Sequence, residues 1–288
     1  MIQAMTGAYA TFEHRIGVIS TMAALEAHDG QPALEGVGII GKTVDLFSRF
    51  LFNFKTEVFG LLSKFKRSEL RAYHESNPMK VRDVFSRVEK MNLSEFMVPV
   101  PDGMRGTYAQ AVSILNQLLA ESQIENTVSV LRNAVDLFAR VNYTNPDAAD
   151  VADLGRYTTA LQCLSREDVQ KRLGVVFTEN RFTEARANSA FGNPRDVIAV
   201  DTILLKSEKI FRTAMRTAGD AGQLEGKYST IIDRVSRGKN MDVGFLRLFE
   251  TFLRQAALQL DLYGVIVHEM LRVEHNFTLA LQRIYERP

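Results

Sequence analysis

Apolar side chains recur at steps of three and four along most of this chain, separated by short polar breaks, and that spacing predicts helices almost throughout. The densest run lies between Gly36 and Phe65. There Val44, Phe47, Leu51, Phe54, Val58, Leu61 and Phe65 fall on one helical face, and Leu46, Phe50, Phe52, Phe59 and Leu62 widen it. Only a narrow polar strip through Asp45, Arg49, Asn53, Thr56 and Lys64 is left. A helix this greasy has to be covered, by its own chain or by a neighbouring subunit. Phe47, Phe50, Leu51, Phe54, Val58 and Phe59 are therefore expected to form an interaction face, joined by Phe249, Phe252 and Leu260 of the last helix.

Other helices follow from the same spacing. Phe12, Ile16, Ile19 and Ala23 predict a first one, ended by Asp29, Gly30 and Pro32. The Phe-rich helix carries its basic tail to about Asn77 and Pro78, and a shorter helix is expected from Lys80 to Met91. Pro99 and Pro101 then push their predecessors out of the α region. That break predicts an N-terminal helical unit (1–98), a Pro/Gly linker (99–106) and a C-terminal helical bundle (107–288). Thr107 and Gln110 have the form of a capping box. Behind them Ala111 to Phe138 mark one long helix, or two that bend near Glu125 and Asn126, and a further helix is expected from Asp147 to Leu164.

Periodicity fades between Arg166 and Pro194. Val175 to Thr178 is expected as a short strand partnered by Phe182, a minor β-hairpin near 174–184. Helical spacing resumes from Val197 to about Thr217, and Ile231, Ile232 and Val235 suggest a short helix between glycine-bearing breaks. The longest pattern comes last, from Phe245 to Ile284. A single helix of that length spans roughly 60 Å at about 1.5 Å per residue. That exceeds a compact domain, so part of it is expected to project or to pack on another chain. The predicted fold class is all-α, long amphipathic helices in a bundle-like architecture.

Charge narrows the partners. With 35 basic and 34 acidic side chains the net charge is +1, which provides no global field for nucleic acid or an acidic membrane. The single cysteine, Cys163, has no intramolecular partner for a disulfide and reads as a small core residue. The first residues lack the basic start and unbroken apolar run of a signal peptide. Asp45, Arg49, Lys55 and Glu57 interrupt the Phe-rich stretch, and intramembrane charge costs several kcal/mol, so no stable membrane span is expected.

Two motifs suggest chemistry. Gly36, Gly41, Lys42 and Thr43 satisfy the P-loop pattern, in which backbone amides cradle phosphates, the lysine meets the terminal ones and the threonine holds magnesium. Asp201, after Val197 to Val200, would be the acidic partner of such a nucleotidase. A P-loop needs a buried strand to deliver it, however, and His28 to Glu35 is polar and broken by proline. The segment holding Asp201 fits a helix as well. Glycines that let a helix begin and pack closely are the plainer reading. The second motif, His268 and His275 with Arg272 between them, has neither the four-residue spacing of helical zinc sites nor a Glu-x-x-His pair, so no metal is assigned. No catalytic residue and no cofactor is expected. The basic runs Lys64 to Arg71 and Arg234 to Lys239 read as solvated helix ends.

The segment Leu34-Glu35-Gly36-Val37-Gly38 opening into the Phe-rich helix with its basic tail, together with Phe245-Leu246-Arg247-Leu248-Phe249, resembles the internal virion proteins of giant tailed phages. The resemblance implies a non-enzymatic structural protein, a minor capsid or internal head component assembled in the host cytoplasm. Its partners would be copies of itself or the capsid shell, with a weak contact to packaged DNA. It also implies trimming after small-x-Glu sites, a form matched by Ala24-Leu25-Glu26 and Ala33-Leu34-Glu35. A tail or neck component, a membrane-active genome-ejection protein and the P-loop nucleotidase stand as alternatives.

Overall fold

The chain divides into two compact units, Met1–Ile39 and Ile40–Pro288. The computed structural model describes residues 69–88, 90, 92–178, 182–193, 195–207 and 241–286, with positions 227, 228, 230, 231, 233–235 and 237, all of them in the second unit. The first predicted helix, the Phe-rich helix and the P-loop-like segment lie outside the described residues.

What is described is mostly helical, with one small antiparallel sheet. In chain order the elements are α1 (Glu69–Ser76), α2 (Pro78–Val88), a 3₁₀ turn (Leu93–Glu95), β1 (Met97–Pro99), α3 (Tyr108–Glu121) and α4 (Ile124–Arg140). They continue with α5 (Ala148–Ala160), α6 (Arg166–Val176), β2 (Glu184–Arg186), α7 (Ala187–Phe191) and α8 (Val243–Glu286). Residues 195–207 are also helical.

Most of the described elements pack on α8, whose 44 residues touch α1, α2, β1, α3, α4 and α5. Its buried side chains run from Phe245 to Ile284, and no residue from Phe252 to Thr278 is exposed. The expected projection is therefore absent. Its middle stretch is covered within the chain, while Val243 and Leu279 toward its two ends stay exposed.

Two aromatic groups fix this arrangement. Near the C-terminal end, Tyr108 stacks on Phe191 (centroids 5.4 Å apart) and meets Phe277 edge-on (5.5 Å), joining α3, α7 and α8. The Tyr108 hydroxyl donates to the Pro99 carbonyl at 2.6 Å, which gives this buried phenol a partner. Near the N-terminal end, Phe138 of α4 meets Phe249 and Phe252 edge-on at 4.3 and 5.6 Å. Such ring pairs add roughly 0.5–1.5 kcal/mol each to the burial of the rings themselves.

Local signals set the helix ends. The capping box of α3 forms, Gln110 N donating to Thr107 Oγ1 and Thr107 N to Gln110 Oε1. The break between α3 and α4 falls at Gln123, whose φ of 44° places a non-glycine residue in the left-handed region. Asp147 precedes α5, which ends at Ala160. Asp242 Oδ1 accepts from Phe245 N at 2.7 Å and opens α8.

The sheet differs from the predicted hairpin in its partners. Val175 and Val176 close α6, and Phe177 makes a single bridge with Met104. The two strands that form are β1 and β2, with Met97 opposite Arg186 and Pro99 opposite Glu184. The prolines that forbid a helix over 97–101 leave extended backbone whose amides need acceptors, and the 182–186 segment provides them. The stretch expected as a linker thus lies inside a core that extends from Leu70 to Ile284, with Val98, Val100 and Met104 buried in it.

Candidate functional site

A helix buried over most of its length must still place its polar side chains somewhere, and on α8 several of them face neighbouring helices and loops. Gln259 sits between Ala256 and Tyr263 on the buried stripe. Its amide grips the loop after α5, Nε2 donating to Leu164 O at 2.8 Å and Oε1 accepting from Leu164 N at 3.0 Å. One turn earlier, Gln255 Nε2 donates to Leu161 O at 3.4 Å. The loop cannot form helix or sheet bonds there, and the two amides replace them.

Further along, charges gather where α1 crosses α8. Glu274 is buried and accepts from Leu70 N in the first turn of α1 (3.3 Å), where a negative charge also complements the helix dipole. His275 Nδ1 lies 2.5 Å from Glu69 Oε2. At the other end of α1, His74 Nε2 lies 2.8 Å from Oδ1 of the buried Asp201. One turn back on α8, Glu269 lies 2.7 Å from Arg272, whose guanidinium also covers the Phe177 ring at 5.1 Å. Burial pushes the Glu269 carboxyl above its ordinary value, and Arg272 offsets part of that rise.

These contacts are pairwise. His74 and His275 each meet one carboxylate from a distant part of the chain, which ties helices together. Among the described residues there is no group of three or more His, Cys, Asp or Glu that could hold a metal. The arrangement fixes α1 against α8 and against the helical residues 195–207.

The residues singled out in the sequence fall into three groups. Gly36, Gly41, Lys42, Thr43, Phe47, Phe50, Leu51, Phe54, Val58 and Phe59 lie outside the described residues. Phe249, Phe252 and Leu260 are buried within the chain's own core, because α4 supplies Phe138 against the two phenylalanines. They are internal packing rather than an exposed face. Asp201 lies within a helix and is paired with His74, so the strand that would present it to a nucleotide is not there. Among the described residues the sheet is two-stranded and antiparallel, unlike the parallel sheet a P-loop requires. Cys163 is half-buried in the loop gripped by Gln259, and burial raises its thiol pKa, which disfavours the thiolate.

Sequence reasoning missed Gln259 and Glu269. Both stand at core positions of an apolar stripe, Gln259 between Ala256 and Tyr263 and Glu269 between Ile266 and Val273, and that placement was the available signal.

No family model matches this chain, and neither a curated protein nor a solved structure matches it. Among the described residues no helix is long and apolar enough to cross a membrane.

Proposed function

We propose that this chain is a non-enzymatic structural component of a tailed-phage virion, a minor capsid or internal head protein that assembles through an apolar helix face. The observation that carries the reading is the enclosure of α8. The chain covers most of its longest hydrophobic pattern itself, and polar groups on that helix act as ties between elements. A body stabilised in this way is a rigid mount. The other large apolar stripe in the sequence, from Val44 to Phe65, is the part this reading assigns to contact with a second copy or a shell protein.

Removing a phenylalanine from water contributes a few kcal/mol at about 25 cal/mol per Å², so several in one stripe favour association strongly even after the ordering cost. The test is sedimentation of the full chain beside a Phe47→Ser, Phe54→Ser variant, with each also titrated against purified shell protein. Self-association or shell binding by the parent, lost in the variant, is expected. A parent that sediments as a monomer and binds no shell protein overturns the proposal.

The P-loop alternative loses support because Asp201 is helical and paired with His74.

A further inference from the structure

A pair of antiparallel strands has two outer edges, and the surrounding elements treat the two differently here. Val100 N donates to Thr183 O and Ala187 N to Phe96 O, with Met97 opposite Arg186 and Pro99 opposite Glu184. Bonded and non-bonded pairs alternate along such a ladder, so the backbone groups of 97 and 99 on β1, and of 184 and 186 on β2, turn outward. On β1 the neighbours use that edge. Met97 O accepts from Arg283 Nη1 at 3.3 Å, Pro99 O accepts from the Tyr108 hydroxyl, and Pro99 has no N–H to offer. On β2 the outward N–H groups of Glu184 and Arg186 meet no partner among the described residues, and both residues are exposed.

The side chains on this edge are charged. Glu184 Oε1 meets Arg283 at 2.6 Å, while the Arg186 guanidinium makes no ion pair among the described residues. An open edge is a template for another strand, and charge of one sign along it keeps other strands away. Here the signs are opposite, one on each side of Ala185. A second β2 laid antiparallel, with Ala185 on the two-fold axis, therefore sets each Glu184 opposite the other copy's Arg186. Opposite charges directly across a strand pair attract, and like charges there repel. The edge is complementary to itself.

We propose that β2 is a dimerisation edge, on which two copies of this chain pair antiparallel about Ala185 into one continuous sheet. In each copy the Arg186 N–H donates to the Glu184 carbonyl of the other, and its guanidinium meets the other's Glu184 carboxylate. Phe182, 45 % exposed, comes opposite the start of the other copy's α7 and loses water there. A patch that complements itself closes as a two-fold dimer and leaves no further edge for growth. This contact is separate from the apolar assembly stripe, since it involves none of the residues from Val44 to Phe65.

Sedimentation of the full chain carrying Phe47→Ser and Phe54→Ser tests it, because association through that stripe then contributes little. A dimer that weakens with added salt is expected in this background. Glu184→Arg and Arg186→Glu, made singly, set like charges across the axis and are each expected to weaken the dimer by about tenfold or more. Both change exposed side chains, so the melting temperature is expected to stay with the background chain. Mixed together, the two single variants complement each other in both pairs and are expected to form a heterodimer. The chain with both exchanges is expected to dimerise with itself again. A background chain that stays monomeric at millimolar concentration, single variants that dimerise as well as it does, or a mixture that stays monomeric overturns the proposal.

Discussion

Gln259 and Leu164, 95 positions apart in the chain, form a closed pair in which one side-chain amide satisfies both the N–H and the C=O of one backbone residue. Gln259 is 2 % exposed, so no water replaces it readily. Gln259→Leu keeps most of the volume and abandons two buried backbone groups, each costing about 1–3 kcal/mol. A loss of about 2–4 kcal/mol in urea-unfolding free energy is expected. A change below about 0.5 kcal/mol would show that the loop finds other partners.

Phe138 is fully buried and meets Phe249, Phe252 and Tyr228, so it joins α4 to the first third of α8. Phe138→Ala is expected to cost about 3–5 kcal/mol through lost burial and the cavity left behind. Phe182→Ala, at a side chain 45 % exposed, is the control and should cost far less. Thermal unfolding of the two variants side by side decides this, and equal losses would contradict the packing described.

At Gln123 the backbone is left-handed, at φ 44° and ψ 45°, and the side chain makes no capping bond. That conformation costs a non-glycine residue roughly 1–2 kcal/mol, part of which glycine returns as added freedom in the unfolded chain. Gln123→Gly is therefore expected to raise stability by about 0.5–1 kcal/mol. Chemical denaturation measures it; destabilisation would mean that the side chain makes a contact worth more than the strain.

The Glu269 carboxyl, raised by burial with Arg272 in partial opposition, gives stability a pH dependence of defined sign. Between the ordinary value near 4.5 and the raised one, the folded chain holds more protons than the unfolded chain. Its contribution is therefore fully present below the ordinary value and is lost as pH rises through the raised one. Glu269→Gln, which does not titrate, should flatten that part of the profile. Urea midpoints from pH 4 upward for parent and variant compare the two slopes, and identical profiles would refute the assignment.

Much of the local structure was legible in the residues. The capping box at Thr107 and Gln110, the helix start at Asp147 and the non-helical stretch at Pro99 and Pro101 each depend on neighbours a few positions away, whereas the expected stop at Leu164 lay four residues beyond the observed one at Ala160. The strand partner was not legible. Phe182 and Val175 were close in sequence, yet Met97 to Pro101 had prolines that excluded a helix and extended amides awaiting acceptors. The polar ties were equally hidden, because Glu274 to Leu70, His275 to Glu69 and Gln259 to Leu164 join positions 204, 206 and 95 apart.

By itself the sequence determined that this protein is built of long amphipathic helices and where many of them begin and end. Periodicity and capping act within a turn or two, so they survive without knowledge of the rest of the chain. Only the tertiary structure decided which apolar faces the chain covers for itself. A stripe such as Phe245 to Ile284 states that it must leave water, and the same pattern serves a partner chain or an internal neighbour equally well. Phe138 against Phe249 and Tyr108 against Phe277 turned that open requirement into an enclosed rod.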